Sequence, residues 1–138
     1  MQVHIKTIHG TSAAAGWAGP RSVVIDRTPR AGGLGIGFSG EELFMMAIGA
    51  SLCNDLYREA AIRGIDIAHV EIIVNGDWSG EPALAKNIRY DIRLESSAPR
   101  QDVEDLIRHT DQVAEIPYSL RSGTQVKLNA VDIVKQDV

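Results

Sequence analysis

At 138 residues the chain has the length of one domain, able to bury about two thirds of its unfolded surface and to fold without disulfide or metal staples. Its 44% hydrophobic and 23% charged content is that of an ordered globular protein, and a net charge of −4 without long blocks leaves no basic stripe for a phosphate backbone. No stretch reaches the roughly eighteen apolar residues of a membrane helix. Neither nucleic acid nor a bilayer is therefore an expected partner, and a single domain over residues 1–138 is expected.

Residues 1–9 alternate polar and apolar side chains and carry neither a basic start with an apolar run nor a small-residue cleavage site. They read as a strand around Val3, Ile5 and Ile8, and a cytoplasmic protein is expected. Residues 21–26 form a β-branched run after the turn-rich residues 16–20, so the two segments predict an N-terminal hairpin. Residues 28–40 hold Pro29, Gly32, Gly33, Gly35, Gly37 and Gly40, the composition of a tightly turned loop.

The loop leads into a helix. Ser39 is a candidate cap, Glu41 and Glu42 suit a helix N-terminus, and Gly64 is a suitable stop. From Leu43 to Cys53 the helix is apolar on nearly every face, which calls for burial all round by a wrapped sheet and a second subunit. Strand-like residues 65–74 and 87–95 flank the turn-rich residues 75–81, with Ile88, Tyr90, Ile92 and Leu94 on one parity. Pro99 and Asp102 open a second helix with Val103, Leu106, Ile107 and Val113 on one face. Val126, Leu128, Ala130 and Ile133 predict a closing strand. The fold class is α/β (α+β) with the order β-β-α-β-β-α-β.

Cys53 is the only cysteine, so no intrachain disulfide can form, and one cysteine cannot be resolved by another of the same chain. It has two readings: a one-cysteine peroxidase using an external thiol, or a small buried hydrophobe. The second is favoured, because no cation is evident within a helical turn before Arg58. Gly35-Ile-Gly37-Phe-Ser-Gly40 spells GxGxxG before a helix. A dinucleotide fingerprint, however, follows its strand directly and finds an acidic residue at the end of the next strand, whereas here Glu59 falls inside the helix. His4, His9, His69 and His109 lack metal-ligand spacing; no metal and no cofactor are expected. Met45 and Met46 read as core before pocket lining. Trp17, Trp78 and Tyr118 fall in predicted turns, and Ser119 has no histidine at nucleophile spacing.

Val24-Ile-Asp26, then Pro29, Gly32-Gly33, Gly37, Glu41, Leu43-Phe44 and the small-residue run Ala47-Ile-Gly-Ala50 follow one another in a distinctive order. Val70-Glu-Ile-Ile-Val-Asn-Gly76 and Ala98-Pro99 continue it. In this order the chain resembles the osmotically inducible protein C and organic hydroperoxide resistance (OsmC/Ohr) family. The resemblance implies an OsmC-like fold, two sheets wrapped around two central helices in an intertwined homodimer, with pockets at the interface for an organic hydroperoxide or another small apolar ligand. At least one of the three aromatics Trp17, Trp78 and Tyr118 is expected to cover that pocket.

The resemblance also implies where the chemistry would sit. The family's peroxidatic cysteine, ten residues after the motif glutamate, corresponds to Ser51, and the resolving cysteine before a proline corresponds to Ile116. Glu41 matches the motif glutamate and Arg21 the arginine that supports the thiolate. A serine hydroxyl neither ionises near neutral pH nor takes an oxygen reversibly from a peroxide, so thiol-peroxidase activity is expected to be lost. Cys53 lies about 200° around the helix from Ser51 and points elsewhere. On one continuous helix Glu41 and Ser51 are about 15 Å apart, so a site that uses both must join two subunits.

Overall fold

The structure, a computed structural model, describes residues 1–136. Strands β1 (His4–Thr7), β2 (Ala14–Ala18) and β3 (Arg21–Ile25) form an antiparallel sheet in the order β1-β2-β3. Where the sequence predicts a hairpin of two strands, β2 is inserted between them and pairs with both. Its Ala14, Gly16 and Ala18 carry little β propensity; the ladders on either side make it a strand. A Cβ at Gly16 would stand 2.8 Å from the tip of the Ile25 side chain, which would have to move aside.

The glycine loop after β3 is organised by buried Asp26, whose carboxylate accepts N–H groups of Arg27 (2.7 Å), Leu34 (2.9 Å) and Ile36 (3.2 Å). Burial opposes its charge, but the N–H donors of Ile36, Arg27, Leu34 and Gly35 outweigh it and hold its carboxyl below the usual range. Two glycines let the loop lie on the chain: a Cβ on Gly33 would collide with the Arg27 carbonyl and one on Gly37 with that of Val24.

Helix α1 (Gly40–Arg63) starts and ends at the expected signals. Ser39 Oγ accepts the Glu42 N–H at 3.2 Å, Glu42 accepts the Ser39 N–H at 3.0 Å, and Gly64 closes the helix at φ 64°. Strands β4 (His69–Ser79) and β5 (Leu84–Glu95) form a separate antiparallel hairpin, longer than expected because residues 75–79 remain strand past an irregularity at Asn75 and Asp77. Helices α2 (Arg100–Val113) and α3 (Glu115–Arg121) follow.

The core lies between α1, α2 and one face of the hairpin. Ile48, Leu52 and Ala114 pack with Ile72, Val74, Ile88 and Tyr90. Further along, Leu56, Ala60 and Leu106 pack with Val70, Ile92, Leu94 and Ile107. Away from the core α1 leaves apolar side chains uncovered: Met46 and Tyr57 are exposed, and Ile62 is 73% exposed. The all-round burial expected of this helix is therefore half supplied by the single chain.

The α/β class holds, with β2 and α3 added to the expected order. The expected closing strand is absent from the described residues: Val126, Leu128 and Ile133 are 95%, 84% and 83% exposed. An alternating segment becomes a strand only where a neighbour pairs its backbone and covers one face, and the single chain offers residues 124–136 no such ladder. Trp17, Trp78 and Tyr118 lie in β2, β4 and α3 in place of the turns expected for them. Trp17 packs against His4 with the rings tilted by 38°, and Trp78 meets Phe44 edge-on at 5.7 Å. Among the described residues no helix is long and apolar enough to cross a membrane, and no cluster of side chains could hold a metal.

Candidate functional site

The first turn of α3 must find partners for its free N–H groups, and it has no side-chain cap of its own. Pro117 lacks an N–H, which leaves Glu115 and Ile116. Both turn to α1. The Glu115 N–H donates to Asp55 Oδ2 at 3.0 Å and the Ile116 N–H to Ser51 Oγ at 3.1 Å. Ser51 Oγ in turn donates to the same Asp55 oxygen at 3.3 Å. Residues four apart on a helix share a face, so α1 presents hydroxyl and carboxylate side by side at the end of α3.

Asp55, 7% exposed, is charge-balanced by Arg58, which reaches Asp55 Oδ1 at 3.0 Å, Glu59 at 3.1 Å and Glu115 at 3.1 Å. The Glu59 hydrogen bond above all, with the charges of Asp55, Glu59 and Glu115, raises the Arg58 pKa against desolvation. His109 of α2 closes the cluster, its Nε2 standing 3.1 Å from Glu59. The far end of α3 is tied as well: Arg121 donates to Tyr90 Oη at 2.9 Å and to Asp111 Oδ1 at 3.0 Å, and the Tyr90 hydroxyl donates to Asp111. Burial opposes the Asp111 charge, yet Tyr90 and Arg121 lower its pKa, while burial and Asp111 raise that of Tyr90.

The expected site residues divide. Ser51 and Ile116 meet, although 65 positions separate them. Cys53 faces away, as its helical offset requires, into an apolar groove of about 420 Å³ between α1 and β4 lined by Met45, Met46, Gly49, Val70, Ile72 and Val74. No charged side chain lines that groove. Glu41 stands at the other end of α1 beside Phe38, Met46 and Trp78. Arg21 borders an apolar depression on the first sheet with Ile5, Val23, Ile25 and Leu43. Within one chain neither joins Ser51. Sequence reasoning missed Asp55, Arg58, Glu115 and His109. The four-residue spacing of Ser51 and Asp55 was visible, but their shared target is remote in sequence.

A model of the OsmC-like protein family matches residues 32–129. The chain belongs to the OsmC-like family. Solved structures agree on the fold of this OsmC-like protein. An OsmC-like protein from Mycoplasma pneumoniae superposes with a TM-score of 0.76 at 15% identity, covering 93% of this chain and 92% of that one. Legionella pneumophila OsmC, named an organic hydroperoxide resistance protein, gives 0.62 at 15% identity over 88% and 90%. The organic hydroperoxide resistance protein OhrB of Bacillus subtilis gives 0.59 at 16% identity over 88% and 90%. A comparison with curated protein sequences finds no match.

Proposed function

We propose that this OsmC-like protein has lost thiol-peroxidase chemistry and works as a cytoplasmic homodimer that holds a small apolar ligand at its interface. The observation that carries the reading is the hydrogen bond from the Ile116 N–H to Ser51 Oγ. If these are the family's two cysteine positions, as the motif order implies, the contact holds their Cα atoms within about 7 Å, the upper reach of a disulfide, and neither carries sulfur. The relatives named for organic hydroperoxide resistance supply the chemistry from which the chain has departed.

Dimerisation is supported by what one chain leaves uncovered. Met46, Tyr57 and Ile62 on α1 and Val126, Leu128 and Ile133 in the C-terminal segment are apolar and exposed, the pattern of an unmet interface. Glu41 and Ser51 lie on one continuous helix about 15 Å apart, so a pocket using both takes them from different subunits. The uncharged lining of the α1–β4 groove favours an apolar ligand over an anion.

Static light scattering at micromolar concentration is expected to give twice the chain's mass. A medium-chain alcohol or ester is expected to raise the melting temperature, by mass action on the folded state. A well-folded monomer that no apolar probe stabilises would overturn the reading.

A further inference from the structure

We infer that Asp55 turns position 51 into a permanent clasp for α3 and, with the same carboxylate, closes that position to thiolate chemistry. The inference deepens the proposed loss of peroxidase function by assigning it to a second residue beyond the missing cysteines.

The clasp follows from the accounting of N–H groups. Asp55 Oδ2 takes both the Glu115 N–H and the Ser51 hydroxyl, and Ser51 Oγ takes the Ile116 N–H. In a redox-active pair the link between α1 and α3 would be a disulfide made by oxidation and broken by reduction. Here it is a set of hydrogen bonds that redox state does not touch.

The electrostatic consequence concerns what position 51 can become. The charged and titratable groups gathered there are Asp55, Arg58 and Glu59 from α1, Glu115 from α3 and His109 from α2. Three carboxylates face one guanidinium, with His109 adding a positive charge only when protonated. The nearest of them to Ser51 Oγ is Asp55 at 3.3 Å. A thiolate there would meet a carboxylate in contact, and a like charge disfavours ionisation. One backbone N–H, from Ile116, pulls the other way, but a single dipole yields to a full charge at the same distance.

Thiol ionisation tests this directly. In a Cys53→Ser background, S51C and S51C/D55N are alkylated with iodoacetamide across pH, and the midpoint of each rate profile is read. Asparagine keeps an acceptor for the Glu115 N–H while removing the charge and the oxygen that pairs with Arg58. S51C is expected to titrate above the ordinary thiol value of about 8.5, and D55N to lower the midpoint and speed alkylation at pH 7 by about tenfold or more. If D55N fails to fold, S51C/R58Q substitutes for it, with the midpoint expected to rise as the cation is lost. Amide exchange at Glu115 and Ile116 in the otherwise unaltered chain is expected to quicken with D55A and stay slow with D55N. An S51C midpoint at or below about 8.5, or one unmoved by both partner substitutions, overturns the inference. None of these readouts uses peroxide turnover, so the inference can fail while the proposed function stands, and the reverse.

Discussion

Leu56→Ala is expected to lower the unfolding free energy by roughly 3 kcal/mol, the middle of the range for emptying a buried leucine site. Leu56 is fully buried where α1, α2 and the β4–β5 hairpin converge, against Leu106, Val70, Ile72, Ile92 and Leu94. Two helices and a sheet meet there, and none can follow the lost side chain inward without leaving its other neighbours. Against a typical total of about 5–15 kcal/mol the loss is large, and urea denaturation would show it as a lower midpoint with unchanged slope. Ile62→Ala, at an exposed position near the end of α1, serves as the contrast. In a monomer it costs within about 0.5 kcal/mol, whereas in a dimer its cost depends on protein concentration. Equal effects of the two substitutions would contradict the placement of the core.

The second large effect is covalent. In a Cys53→Ser background, S51C/I116C is expected to close an intrachain disulfide on oxidation with oxidised glutathione. The 3.1 Å contact between Ser51 Oγ and the Ile116 nitrogen bounds the Cα–Cα separation at about 7 Å, the upper end of what a disulfide spans. Closing a loop of 65 positions stabilises by roughly 4 kcal/mol on the chain-entropy model, less any strain. Mass spectrometry would show the loss of two hydrogens, and the oxidised variant is expected to melt on the order of 10 °C higher than the reduced one. With Asp55 retained the bond forms slowly, and D55N accelerates it. A double variant that stays reduced would remove 51 and 116 as a pair. In the same Cys53→Ser background, S51C without I116C has no second thiol in the chain and, once oxidised by a hydroperoxide, stalls or passes from sulfenic acid to higher oxides.

How much of this was legible in the sequence depended on whether the signal was local. The bounds of α1 were readable because Ser39, Glu42 and Gly64 act on their own helix ends. The inward face of β5 was readable because Ile88, Tyr90, Ile92 and Leu94 keep one parity. Strand β2 was not, since its small residues owe their conformation to the ladders beside them. Helix α3 was not, because its seven residues include Pro117 and its first turn is capped by α1. The alternation of Val126, Leu128 and Ala130 is present in the sequence, but among the described residues no neighbouring strand pairs with it.

For the site the same division holds. That Cys53 turns away from Ser51 followed from helix geometry alone, and the structure places it in a different groove. The expectation that Ser51 and Ile116 stand at the family's two cysteine positions came from family resemblance, since no local pattern links positions so far apart. In the sequence Asp55 is only one of the polar residues, with Asn54, Arg58 and Glu59, that follow the apolar run of α1. Its burial and its partners on α3 exist only once α2 has turned the chain back across α1.

The central claim, that thiol-peroxidase chemistry is gone, is tested most directly by following organic hydroperoxide consumption with dithiothreitol as reductant, comparing the unaltered protein, Cys53→Ser and buffer. A working peroxidatic thiolate takes an oxygen from the hydroperoxide, leaving an alcohol and a sulfenic acid that the dithiol reduces back to thiol and water. Cys53 sits in an apolar groove with no charged lining to support the thiolate, so all three samples are expected to consume peroxide at the same rate. Turnover by the unaltered protein that disappears in Cys53→Ser would contradict the account and establish a one-cysteine hydroperoxide reductase in its place.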